Sequence, residues 1–347
     1  MAGLALYNSS INDKKVEWLV NPLYGFGSKK LIGSGKIQTN INTNGLFPRI
    51  ELGYKIRSYH NEHDDLYKEQ RWTKQEIFTD LRFKSNNLRS SPFQNLKLRA
   101  IKVDDFEPDV ILIWPVESRR KTAYYGEIEY NLKSRQILKP KELKLNYIYG
   151  FNENSNLVNC LQLESKIEKS YNKNSDKIRW RFFTGYHFNK DITKQYSFYL
   201  SGKNGRTDYL YDNIYLARNS SNQKYLLSRQ NDNSYGGFKV MDTTLRSDNW
   251  MISNNFKIDI PKLPIGVFAD FGVFSSSASE NKVKWEYNAG IYASVVVNEE
   301  IIGIYLPILY SDNIGETLND FKVLQRINFI FNLKSLNPFT IKKTIKP

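Results

Sequence analysis

A single cysteine, Cys160, in 347 residues excludes an intrachain disulfide and falls far short of a thiolate zinc cluster. Histidine is almost as scarce, with three copies. Nowhere does the chain approach the ~18 uninterrupted apolar residues of a spanning helix, which excludes a helical membrane protein. Helical periodicity is rare, and no blade-length repeat supports a propeller. There is no Gly-x-Ser-x-Gly nucleophile elbow, and Gly33-Ser34-Gly35 is too short for a phosphate loop. The opening Met1-Ala2-Gly3-Leu4-Ala5-Leu6 has no basic region and no cleavage site, so it forms no signal peptide. So abrupt a start implies a piece of a longer precursor.

What is present is aromatic and basic. Hydrophobic residues at 40% and aromatics at 14% are too abundant for a disordered chain. Lys and Arg number 50 against 36 Asp and Glu, a net charge of +14 that nucleic acid, anionic lipid or base composition could each explain. Along the chain this charge alternates with apolar residues. In 178–188 one parity reads Ile178, Trp180, Phe182, Thr184, Tyr186, Phe188, and the other Arg179, Arg181, Phe183, Gly185, His187. Only a strand puts each set on its own face. The pattern recurs at 50–60, 143–151, 157–171, 250–260 and 285–297. Polar turn clusters such as Asn42-Thr43-Asn44-Gly45 and Asn152 to Asn156 separate the runs. Short connections between alternating strands give hairpins, not crossovers. The pattern predicts an all-β chain: one antiparallel up-and-down transmembrane β-barrel spanning 1–347, of about 14–16 strands.

Lipid and water make different demands on the apolar face. Runs near the ~9–11 residues of a tilted spanning strand favour lipid. So do the aromatics Trp18, Phe26, Trp180, Phe188, Trp250 and Trp285 at run ends, as interfacial girdles require. The opposite parity mixes glycine with charge, which a lumen tolerates. A soluble β-rich binding protein is the rival. Residues 203–246 do not alternate, and form either a long external loop or a lumen plug. An open edge in lipid is prohibitive, so the last strand, assigned to 323–333 with Val323, Ile327, Phe329, Phe331 and Leu333 outward, is expected to pair with an early one. A short basic tail, 334–347, follows.

Candidate chemistry is sparse. His60 and His63, among Asn61, Glu62, Asp64 and Asp65, form the one cluster with metal-ligand character, and a polar turn is the plainer account. His187 falls on the lumen parity. Glu127, Glu129, Glu142, Lys144, Glu164, Lys166, Glu168, Arg179 and Arg181 share that parity on successive strands, within cross-strand reach. They make either a salt-bridge network stiffening the barrel or a charged pore; a mixed-sign wall filters poorly, which favours the network. Basic residues dispersed on one parity with aromatics on the other argue against nucleic acid.

Gly3-Leu4-Ala5-Leu6-Tyr7-Asn8, Asn21-Pro22-Leu23-Tyr24 with Gly25-Phe26-Gly27-Ser28-Lys29, and the stretch Asp208 to Asn219 followed by Gly236-Gly237-Phe238-Lys239 stand in a distinctive order. Arg326-Ile327-Asn328-Phe329 and Leu336-Asn337-Pro338-Phe339 close the series. This order resembles the C-terminal outer-membrane barrel region attached to M1-like metallopeptidases of Bacteroidota. The family's His-Glu-x-x-His and Gly-x-Met-Glu-Asn motifs are absent, so no catalytic residue and no cofactor is carried over. The resemblance implies an outer-membrane anchor or scaffold for a peptidase-like domain outside this chain, where zinc would reside. Its partners would be outer-membrane lipid and that domain. An independent transport or secretion pore is the alternative.

Overall fold

The computed structural model describes residues 2–8, 14–26, 29–60, 71–85, 92–107, 119–134, 136, 138–153, 155–172, 176–189, 192–216, 218, 226–241, 244–275, 282–296 and 300–332. Two short strands, β1 (Ala2–Gly3) and β2 (Leu6–Tyr7), lie successively along β3 (Val16–Gly25). A meander follows through β4 (Lys30–Asn42), β5 (Arg49–His60), β6 (Arg71–Arg82), β7 (Phe93–Glu107), β8 (Arg119–Lys133), β9 (Lys141–Phe151), β10 (Asn156–Ser170) and β11 (Lys177–His187). Each pairs antiparallel with the next. Residues 188–249, carrying the two-residue strands β12 (Phe198–Tyr199), β13 (Gln230–Asn231) and β14 (Arg246–Ser247), are then skipped by the wall. β11 pairs directly with β15 (Trp250–Asp259), which continues to β16 (Gly266–Ser275), β17 (Val283–Val296) and β18 (Glu300–Tyr310). Helices α1 (Asp312–Leu318) and α2 (Val323–Arg326) lead to β19 (Asn328–Phe331) on β18. Among the described residues, with β1 and β2 counted as one broken strand, the wall has fifteen positions, inside the expected range.

Alternation on these strands sorts side chains as expected. Leu52, Ile56, Ile77, Leu98, Ile128, Leu145, Phe256, Phe271 and Ile304 lie exposed on the outer face. Between them Glu51, Lys74, Glu76, Arg99, Glu127, Asn146, Asn255 and Asp270 are buried on the inner face. This is the inverse of a water-soluble sheet, and the sense required of a wall in hydrocarbon. Proline is confined to tolerant places. Pro307 adjoins the bulge where Ala289 faces Leu309 and Gly290 faces Pro307. Pro22 faces Gly33, whose φ of 138° suits glycine; a Cβ there would stand 2.0 Å from the Asn21 carbonyl oxygen.

Two expectations change, and the irregular segment, left open between an external loop and a lumen plug, takes the second form. The last strand is shorter than 323–333: Val323–Arg326 is helical and only Asn328–Phe331 is paired; Leu333 and the tail 334–347 lie outside the described residues. Val323 and Ile327 are four apart, a spacing that serves a helix as well as a strand. Among the described residues no ladder joins β19 to β1, β2 or β3. Instead the edge of β19 away from β18 is taken in parallel by β13, with Gln230 opposite Phe329 and Asn231 opposite Ile330. Finally, the irregular segment is inside: Phe198, Leu200, Phe238, Val240 and Met241 are fully buried.

If the outer face meets lipid, Ile77→Lys at the middle of β6 will lower unfolding stability in phospholipid vesicles by about 2–4 kcal/mol. An exposed site in water would move by only about 0.5 kcal/mol. Urea titration in vesicles against detergent micelles separates the two outcomes.

Candidate functional site

The inner face is divided along the barrel axis. At the end from which 188–249 emerges it is apolar and aromatic: Trp72, Ile101, Val103, Tyr125, Ile148, Val158, Cys160, Phe183, Met251 and Phe274 form one cluster. Ile192, Tyr196, Phe198, Leu200, Tyr209, Leu210, Tyr211, Tyr235, Phe238, Val240 and Met241 of the segment complete it. Rings meet across this boundary, Trp72 with Tyr211 at 4.4 Å between centroids and Phe183 with Tyr235 at 5.6 Å. The segment is therefore a plug seated on a hydrophobic half-lumen.

Two polar anchors fix the plug to opposed arcs of the wall. The first is built on Asp208, whose carboxylate accepts the backbone N–H groups of Asp212 (2.7 Å) and Asn213 (2.9 Å) and pairs with Arg218. Arg218 lies over the rings of Tyr211 (4.6 Å) and Tyr215 (4.9 Å) and donates to the Asn213 carbonyl at 3.0 Å. This turn presents Asp212 to the wall. Arg99 on β7 donates to its two carboxylate oxygens at 2.8 and 2.9 Å, and Lys74 on β6 reaches it at 2.6 Å. Arg57 on β5 holds the Asp212 carbonyl at 2.9 Å. Such a fork-to-carboxylate pair is directional as well as strong.

The second anchor grips backbone. Arg181 on β11 donates to the Tyr235 carbonyl (2.8 Å) and to Asn255 (2.8 Å). Asn255 on β15 donates to the Gly236 carbonyl (2.9 Å) and to Asp270 (2.9 Å). Asp270 on β16 accepts the Lys239 N–H at 3.0 Å, and Asn328 on β19 donates to the Lys239 carbonyl at 2.7 Å. Arg181, Asn255 and Asp270 are register neighbours, so one level of the wall holds Tyr235, Gly236 and Lys239, three residues within five consecutive positions of the plug. Glycine is obligatory here. A Cβ on Gly236 would lie 2.4 Å from the Leu200 backbone; Gly237 has φ +64°, and its Cβ would lie 2.7 Å from Arg181 Nη1.

Between the plug and the far end remains a cavity of about 1030 Å³. All nine charged residues expected on the lumen parity line it. Lys144 pairs with Glu129 (2.6 Å), Arg181 and Lys166 with Glu164 (2.6 and 3.2 Å), Lys177 with Glu168 (2.8 Å), Arg179 with Asp259 (2.7 Å) and Arg99 with Glu127. Glu142 stands 4.0 Å from Lys133. Sequence parity places Arg57 on the lumen face but does not single out Lys74, Glu76, Arg99, Asn255 or Asp270. The same alternation in β5, β6, β7, β15 and β16 carries them, and only the fold shows which ones the plug meets.

The other candidates fall elsewhere. His60 ends β5, while His63 lies outside the described residues; among those described, no group of three His, Cys, Asp or Glu could hold a metal ion. His187 is buried on the inner face, its ring stacked 4.1 Å from that of Phe198 beneath the plug. Trp18, Phe26, Phe188 and Trp285 are exposed. Trp180 is half-buried, stacks on Phe256 and donates to Asn254 at 3.1 Å; Trp250, half-buried, opens β15.

Burial also shifts charge in the plug. Desolvation raises the Asp232 carboxyl despite donors from Tyr215 and Ser234. Desolvation likewise pushes the Lys239 ammonium down to about 8, with Asp270 and Glu300 opposing and Lys257 and Arg181 reinforcing.

These features define a transmembrane-type β-barrel with an internal plug. No family model matches the sequence, and no curated protein is significantly similar to it. Among solved structures the chain is similar to CdiB from Acinetobacter baumannii: 10% identity, TM-score 0.43, covering 86% of this chain and 51% of that one. It is also similar to BamA from Haemophilus ducreyi lacking POTRA domains 1-3: 10% identity, TM-score 0.44, covering 94% of this chain and 68% of that one. This chain thus spans about half the length of the CdiB chain. Both are outer-membrane β-barrels of the Omp85 family.

A lysine with a lowered docked-state pKa binds fewer protons when seated than when free. Seating of the plug will therefore strengthen as pH rises from about 8 toward 10.5 and stay level below 8, as far as Lys239 governs it. Hydrogen exchange of 226–241 measures this, and Lys239→Met should flatten the slope. Independently, Gly237→Ala should weaken protection of the same residues by about 1–3 kcal/mol, leaving the wall ladders protected.

Proposed function

We propose that this chain is a plugged outer-membrane pore of the transport type, with 188–249 as its occluding element. The observation that carries this reading is the pair of polar anchors across a lumen left half empty. A barrel serving only as an anchor needs no seated segment beside a cavity of about 1030 Å³. The hydrogen bonds and ion pairs of the anchors exchange with water at little net cost, so release of the plug is opposed mainly by the apolar cluster it buries. Burial of the inward charges and exposure of the outward apolar residues support a bilayer as the partner of the outer face.

Orientation follows from connection lengths. The plug end carries 26–29, 61–70, 108–118, 152–155, 188–249, 276–282 and 311–327, and the opposite end 43–48, 83–92, 134–140, 171–176, 260–265 and 297–299; the three longest connections are all at the plug end. Outer-membrane barrels keep short turns on the periplasmic side. The plug then faces outward, and the charge-lined cavity opens to the periplasm. The ion pairs around Glu129, Glu164 and Glu168 stiffen that half of the wall.

Planar-bilayer recording tests the pore. Wild-type chain should insert with low conductance, and an Asp212→Ala/Asp270→Ala variant should conduct several-fold more. If both stay silent while heat-modifiable migration shows folded barrel, the pore reading fails. A non-conducting scaffold, such as the peptidase anchor implied by the sequence resemblance, would take its place.

A further inference from the structure

Toward the plug end the outer face changes character from one cross-strand row to the next. Register places Ile37, Tyr54, Ile77 and Ala100, on β4 to β7, in a row without charge. The next row mixes Ile56, Gln75, Lys102, Tyr124 and Phe151. The row after that reads Ser58, Thr73, Asp104 and Thr122, and is wholly polar. Tyr124 and Phe151 stack at 5.6 Å between centroids, and Phe151 ends β9, whereas β5 to β8 run on past this level. An aromatic pair beneath a polar row marks the boundary between hydrocarbon and headgroups.

Two cations converge on the polar row from opposite sides. Lys102 comes from the row nearer the hydrocarbon, with its Nζ 3.6 Å from Asp104. The Lys102 side chain is 35% exposed and that of Asp104 only 3%, so the ammonium faces outward and the carboxylate does not. Thr122 donates to the same carboxylate at 2.7 Å. Arg71 comes from the far side, its Nε donating to Ser58 at 2.8 Å, and the Ser58 hydroxyl lies 3.1 Å from that of Thr73. Among the described residues Arg71 makes no ion pair, which leaves the two terminal nitrogens of its fork for an outside acceptor. Thr73 is the register partner of both Ser58 and Asp104, and so stands between the two cations.

We propose that Arg71, Lys102 and the Thr73 hydroxyl bind the phosphate of a lipid in the leaflet at the plug end, with its chains lying over Ile77 and Ala100. A guanidinium fork suits phosphate oxygens, and a lysine beside it adds a point charge. Long basic side chains rooted near the hydrocarbon edge extend to headgroup level, where each attracts anionic lipid. The site rests on the reading that the outer face meets lipid, and not on conduction through the lumen.

Native mass spectrometry of the full chain folded in detergent tests it, with phosphatidic acid and diacylglycerol of the same chain length as probes. One equivalent of phosphatidic acid should bind saturably, and at least tenfold more weakly in Arg71→Gln/Lys102→Gln. Lys169→Gln, which removes an exposed outward lysine at the opposite end of β10, should leave binding unchanged. Equal binding by wild type and the double variant, an equal loss in Lys169→Gln, diacylglycerol binding as tight as that of phosphatidic acid, or no saturable binding would each overturn the site. Absence of binding while Ile77→Lys still lowers stability in vesicles overturns the site alone; if Ile77→Lys is also tolerated, the lipid-facing reading falls with it. Heat-modifiable migration confirms that every variant is folded.

Discussion

A peptide group in hydrocarbon finds no partner but another peptide group, and the architecture follows from that constraint. The thirteen long strands described in this wall satisfy it by pairing with the long strand before and after, through local hairpins except where 188–249 intervenes between β11 and β15, and the sheet advances in one direction. Because the pairing uses only backbone, the two side-chain faces are free to diverge. One face becomes solvent to lipid and the other encloses whatever the lumen must hold.

The enclosed face is not uniform, and its division explains the plug. Apolar wall residues such as Trp72, Val158 and Met251 would line water if the lumen were empty, at a cost proportional to their area. Covering them with Phe198, Leu200 and Phe238 removes that cost. The anchors through Asp212 and Gly236–Lys239 supply position rather than bulk attraction. Burial keeps the segment in the lumen, and directional hydrogen bonds decide where it sits.

How much could be read from the sequence follows the same division. Strand parity at Ile178 to Phe188 and at Ile50 to Ile56 was legible because lipid excludes charge from one face, which leaves a clean period of two. It was less legible where Val158 and Cys160 add apolar residues to the inner parity. The irregular segment was expected at 203–246 where the wall skips 188–249, and its place stayed open because plug and external loop look alike until their contacts are known. Within it, Asp208 and Gly236-Gly237 stood out as motifs, but their partners Arg99, Asn255 and Asp270 lie on distant strands. The helix at Val323–Arg326 was concealed because its apolar spacing also satisfies a strand.

The parallel pairing of Gln230 and Asn231 with Phe329 and Ile330 joins the plug to the last strand of the wall. Those partners lie 99 positions apart along the chain, and the Asn328 donor to Lys239 adds a second tie between the same two segments. The plug thus serves as the neighbour that the outer edge of the final strand needs, and displacing it would uncover backbone groups of that strand as well as the lumen.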